Sequence, residues 1–207
     1  MKNVAIVLFD KVEVLDFAGP FEVFSACGAH GEVKGQFNVY TVAEKTPVIA
    51  RNGLSINPQF LLDDCPAPDI MLIPGGGGYS SDGSPYGSRK EMHNPVLLAW
   101  IQGHNKAAEL VLSVCTGSLI LAKAGLLEGL SATTHWKAMD QLKEAAPNTK
   151  LVYDKRWVDN GRVITSAGVS AGVDMSLYVI AKLFGKNVAN ETARDMQYDH
   201  WQRLTEE

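Results

Sequence analysis

ELVLSVCTGSLILAKAGLL, residues 109–127, is the stretch that decides the fold. Its first part is a compact apolar run, and after Cys115 the pattern turns helical across three small polar residues, Thr116, Gly117 and Ser118, with no proline. A strand therefore passes directly into a helix, with a thiol on the turn. Such an elbow lifts the side chain above the carboxyl edge of a sheet. There the first free N–H groups of the helix stabilise a thiolate and are expected to lower its pKa. The competing reading is a buried, inert cysteine used as a small hydrophobe.

Outward from this elbow the chain alternates strand and helix signals. VAIVLF (4–9) and DIMLI (69–73) are continuous apolar runs of buried strands, and FNVYTVAE (37–44) is another strand. Helical spacing covers 17–27, with Pro20 placed near the first turn, as well as 95–108, 137–146 (stopped by Pro147), Val169 to Phe184, and about Ala189 to the end. The helix after Cys115 closes at Gly125 or Gly129. Asn52-Gly53 and Asn160-Gly161 mark hairpins within 48–58 and 151–168, and SATTHW (131–136) reads as a short strand. Strands alternating with helices predict a doubly wound α/β sandwich with a mostly parallel sheet covered on both faces.

At 207 residues and 46% hydrophobic content, the chain can bury a sizeable core without staples, and one domain over 1–207 is expected. A formal charge of −4, with scattered lysines and arginines, offers no basic surface for nucleic acid, so the expected partner is a small molecule. Cys27, Cys65 and Cys115 are odd in number and match no zinc spacing; the reading is a reducing compartment without a zinc site. The apolar run in MKNVAIVLFD is too short for a signal peptide, and no stretch is long enough to span a membrane, which predicts a cytoplasmic protein.

In a doubly wound sheet ligands sit outside the carboxyl ends of the strands. Asp16, Gly75 to Gly78, Cys115 with Thr116, and Ser166 to Ser170 all fall at such ends. The glycine run lacks the GxGxxG or GK[ST] spacing of a phosphate cradle, so Gly76 and Gly77 are expected to supply backbone N–H groups of an oxyanion hole, the bland alternative being a flexible turn. Asp16, among apolar neighbours, either caps the helix that follows or holds a proton near the thiol and delivers it as a general acid. His135, in ATTHW, is the histidine at a plausible strand end and is either structural or catalytic; His30, His93, His104 and His200 read as solvated. Thr116, not histidine, follows Cys115, which weakens a hydrolytic Cys-His pair.

LDFAGPFEVF, DIMLIPGGGG, LSVCTGSLILAKAGLLEG, ATTHW and ITSAGVSAGVDMSLYVI together resemble the ThiJ/PfpI superfamily, from Val4 to about Tyr198. Within it the likeness is greatest to isocyanide hydratases and to the sensor domains of amidase-like transcription regulators. The resemblance implies a flavodoxin-like sandwich, a homodimer, a nucleophile at Cys115, and an acid at Asp16 where many relatives carry glutamate. Thr116 stands where the hydratases have threonine and the protease-like members histidine, which argues against a peptidase. Carried onto this chain, the hydratase chemistry has Thr116 holding the sulfur or a water, with backbone N–H groups near Gly76 or Gly77 and Val169 positioning them, and requires no metal or organic cofactor. The regulators fuse this domain to a DNA-reading segment; here the sequence ends at Glu207, and none is expected. A small-molecule sensor, a glyoxalase or deglycase, and a redox-responsive chaperone are the family's other readings.

Overall fold

The structure is a computed structural model that describes residues 1–27 and 33–201. Its central sheet has seven strands: β1 (Lys2–Leu8), β2 (Phe37–Ala43), β3 (Phe60–Leu61), β4 (Ile70–Ile73), β5 (Leu110–Ser113), β6 (Trp157–Asp159) and β7 (Val163–Ser166). Their order across the sheet is β6, β7, β5, β4, β1, β2, β3, and all neighbours are parallel except the β6–β7 hairpin at Asn160-Gly161. The inner strands read as unbroken apolar runs because both of their faces are covered: Ile70, Met71, Leu72 and Ile73 are all fully buried. This is the doubly wound α/β sandwich that the alternating pattern predicts, in the flavodoxin-like form that the resemblance implies.

Among the described residues the longer helices that flank the sheet are α1 (Val14–Cys27), α2 (Pro95–Asn105), α3 (Gly117–Lys123), α4 (Met139–Ala145), α5 (Ala171–Phe184) and α6 (Lys186–Asp195), beside a single helical turn at Ser88–Glu91. α1, α5 and α6 pack on one another, and α3 packs on α4. Among the described residues no helix is long and apolar enough to cross a membrane.

Three expectations shift in detail. α1 starts at Val14, so Pro20 lies inside the helix, where it lacks the N–H that would bond the Asp16 carbonyl. SATTHW forms a strand only over Ser131–Ala132, because the next residues bond to side chains and to the elbow: Thr133 N–H donates to Thr165 Oγ1 at 3.0 Å, and the Thr134 hydroxyl to the Cys115 carbonyl at 2.9 Å. α6 ends at Asp195 and helical backbone resumes at His200 and Trp201, while residues 202–207, over which the last helix is expected to continue, lie outside the described residues, as does His30.

Register builds the site. Ile73 of β4 pairs with Ser113 of β5, which pairs with Thr165 of β7, so the three strands stop level. Two residues past that line stand Gly75, Cys115 and Ala167. The chain winds from β1 to β2 and β3 on one side and returns to β4 on the other, which opens a crevice at the carboxyl ends of β1 and β4.

Gly117 shows how tightly the elbow is packed. A Cβ there would lie 2.0 Å from the Ile73 carbonyl oxygen. Alanine ordinarily favours a helix over glycine, yet Gly117→Ala is expected to destabilise the protein by about 1–3 kcal/mol, because the clash is with backbone that cannot step aside. Urea unfolding checks this; a variant at least as stable as the parent would mean that β4 and α3 are less closely apposed.

Candidate active site

The elbow is strained. Cys115 has φ +56°, in the left-handed region that side chains with a Cβ rarely occupy. Its N–H donates to the Ala167 carbonyl at 3.0 Å, while its own carbonyl accepts from the hydroxyls of Ser118 and Thr134. Tied on both sides, the backbone presents the sulfur to the N–H groups of Thr116 and Val169 and to the Thr116 hydroxyl, all of which favour the thiolate. Val169 is also strained, with φ +48°.

Asp16 reaches the same place from α1. It is fully buried, and its Oδ2 accepts the Gly75 N–H at 2.9 Å. This resolves the two readings of Asp16 against capping: the helix has already begun at Val14, and the carboxylate bonds a glycine 59 residues away. Oδ1 is buried with no well-formed hydrogen bond among the described residues. The Cys115 thiol lies close enough to this carboxyl to favour its ionised form.

Burial pushes the Asp16 carboxyl up to about 7, and the neighbouring Glu13 adds to this; the Gly75 N–H, the thiol and Arg51 oppose it. Burial also pushes the Cys115 thiol up, to about 12, with the Asp16 charge next in effect. The lowered thiol pKa expected from the helix terminus is therefore overturned. Desolvation and a neighbouring carboxylate outweigh the N–H groups, so both members of the pair hold their protons more tightly than exposed groups would.

The glycine loop plays a different part from the one expected of Gly76. Its N–H donates to Thr116 Oγ1 at 3.1 Å, so it holds the threonine and is not free for an anion. A Cβ on Gly76 would lie 2.3 Å from the Glu13 nitrogen, which makes the loop a packed junction, not a flexible turn. Gly77, with φ +93°, pairs with Gly87 in a short antiparallel ribbon. Ser88, fully buried, escaped the sequence reading: its hydroxyl lies 2.7 Å from both the Gly76 carbonyl and Thr116 Oγ1. No motif in SPYGSRKE announces that role, since only the fold brings Ser88 to the elbow.

His135 lies beside the site without bonding to the thiol. Its Nδ1 accepts the Lys137 N–H at 3.2 Å, and its ring closes on Gly168, where an added Cβ would meet Cδ2 at 2.5 Å. Burial, then Lys137 and Arg89, hold its pKa below the usual histidine value, so the imidazole is neutral at pH 7. Cys27 and Cys65 are free thiols, both pushed up by burial. The site thus gathers Cys115, Thr116, Asp16, Gly76 and Val169, with His135 at its margin. Chemically it is a buried thiol beside a buried carboxyl, two groups that can exchange one proton out of contact with bulk water.

The family model described as the DJ-1/PfpI family matches residues 2–182. An isonitrile hydratase (isonitrile is a synonym of isocyanide) of Pseudomonas putida is 31% identical over 95% of this chain and 78% of its own. The HTH-type transcriptional regulator CdhR of Pseudomonas aeruginosa is 31% identical over 71% of this chain, but the match spans only 40% of the regulator. Among solved structures, a ThiJ/PfpI family protein from Pseudomonas syringae superposes with a TM-score of 0.82 at 30% identity, covering 96% of this chain and 75% of that one.

Proposed function

The chain belongs to the DJ-1/PfpI family, and from that premise we propose that it hydrates an isocyanide to an N-formamide through a thioimidate on Cys115. The observation that carries the reading is the buried thiol–carboxyl pair, whose acid has been raised to about 7. A group with that pKa both takes and gives a proton near neutrality. The match to an isonitrile hydratase over 95% of the chain supports the choice of substrate.

Cys115 attacks the terminal isocyanide carbon as its S–H proton passes to Asp16. The new S–C bond forms and Asp16 returns the proton to that carbon, giving R–N=CH–S–Cys. Water then adds across the C=N bond, activated by the Asp16 carboxylate, and the nitrogen takes a proton. Rupture of the C–S bond releases R–NH–CHO and restores the thiol. Atoms balance as RNC plus water, and no group beyond these residues is required. Thr116, the Val169 N–H and the Thr116 N–H stabilise sulfur each time it carries charge. Starting from a protonated thiol is no obstacle, because the Asp16 charge that holds the thiol high is neutralised by the very proton it receives. The reading further takes the chain to be one domain, acting in the cytoplasm as a homodimer on a small molecule.

A second reading, an effector-binding sensor, is favoured by the likeness to a segment of CdhR. Turnover assays with an aryl isocyanide, a methylglyoxal-type aldehyde and a simple amide separate the readings. Formamide from the isocyanide is expected. Consumption of the aldehyde alone would replace hydration with glyoxalase chemistry, and binding without turnover of any of the three would favour the sensor.

A further inference from the structure

Val169 contributes an N–H to the sulfur while holding, at φ +48°, a backbone conformation costly for a β-branched residue. Something must hold it there, and the residues on either side show what. The N–H of Ala167 donates to the Arg156 carbonyl at 2.9 Å, and the Arg156 guanidinium donates from Nη2 to Ser170 Oγ at 3.1 Å. One residue thus grips both ends of the four-residue segment Ala167–Ser170.

The grip is anchored. Arg156 forms an ion pair with Asp174, which is fully buried on α5, and the other carboxyl oxygen of Asp174 accepts the Tyr198 hydroxyl at 2.9 Å. Ser170 confirms the direction of the pull. It stands at the N-cap of α5, where a serine hydroxyl ordinarily bonds the helix's own N–H groups, yet it makes no such bond and serves the guanidinium.

We propose that Arg156, seated on Asp174 and reaching Ser170, is a positioning residue that keeps the Val169 N–H directed at the Cys115 sulfur. The inference rests on Cys115 being the nucleophile, not on the identity of the substrate. The charged groups that act on the thiol and its carboxyl partner from other elements are Glu13 and Asp16 near the start of α1 and Arg51 on the 48–56 hairpin, and the clamp touches none of these directly.

The test is the rate of Cys115 carbamidomethylation by iodoacetamide against pH, read by peptide mass spectrometry so that Cys27 and Cys65 are scored separately, with thermal unfolding recorded in parallel. Ser170→Ala keeps the buried ion pair and removes only its link to the loop. It is expected to slow Cys115 alkylation about threefold and to move the inflection upward. Arg156→Met is expected to slow it about tenfold, with Arg156→Lys between the two. Should Arg156→Met fail to fold because Asp174 is left unpaired, Ser170→Ala alone decides. An unchanged profile in folded Ser170→Ala, or faster alkylation from a loosened loop, overturns the clamp while leaving the nucleophile intact. A wild-type Cys115 unreactive at every pH overturns both.

Discussion

Cys115→Ala is expected to lower isocyanide turnover by at least about 10⁴-fold, since no other group in the crevice can form the covalent intermediate. Loss of stability should be small, about 1 kcal/mol, because a buried sulfur is exchanged for a small void and the strained backbone keeps its ties to Ala167 and Thr134. Steady-state kinetics beside urea unfolding distinguish the two effects. The variant also changes Asp16. The thiol is among the groups that hold its carboxyl down, so Asp16 should titrate higher in Cys115→Ala than in the parent. Residual turnover within tenfold of the parent would mean that sulfur is not the attacking atom.

Asp16→Asn is expected to slow turnover by about 10²–10⁴, the usual worth of a positioned acid–base group. Its effect on stability runs the opposite way. The carboxyl titrates near 3.8 in the unfolded chain and about 7 in the folded one, so between those values the native state binds more protons. Stability therefore falls as pH rises from about 4 to 7, by up to about 4 kcal/mol, and stays low above that. Asparagine accepts the Gly75 N–H equally well and carries no charge to desolvate, so the variant should gain on the parent progressively over this window. Denaturant unfolding at pH 4, 6 and 8 measures it. A variant that loses stability equally at all three pH values, with its rate per folded molecule intact, would return Asp16 to a structural role.

The two predictions together isolate the property on which the proposed chemistry depends. Neither group is activated by itself: burial discourages ionisation of both, and they become useful because a proton given up by one is taken by the other. Thr116, Ser88 and Gly76 form a hydrogen-bonded bracket around that exchange, and Arg156 is the corresponding support on the Val169 side.

Much of this was legible in the residues. The apolar run of 110–113 passing into small polar residues specifies a strand–turn–helix elbow wherever it occurs, and the alternation of such units leaves little choice but a parallel sheet with its working residues at one edge. Asp16, Cys115 and Thr116 become candidates for that reason, though Asp16 stays open between capping and acid, and the role of Thr116 comes only with the resemblance. The glycines of 75–77 announce a close backbone approach, though not of what to what.

What local pattern could not decide was where protons and hydrogen bonds go. A thiol after a strand and before a helix looks activated from the sequence, because the helix N–H groups are local. The burial and the Asp16 charge that reverse the expectation arrive from a helix a hundred residues away. Gly76 seemed free to bind an anion until Thr116 Oγ1 was found to occupy its N–H. Ser88 and Arg156 carry no signature, since each acts only through partners made neighbours by the sheet order. Amino-acid order determined the elbow and its chemical inventory; tertiary structure determined the electrostatics, because desolvation and hydrogen bonding depend on distances between segments that only folding brings together.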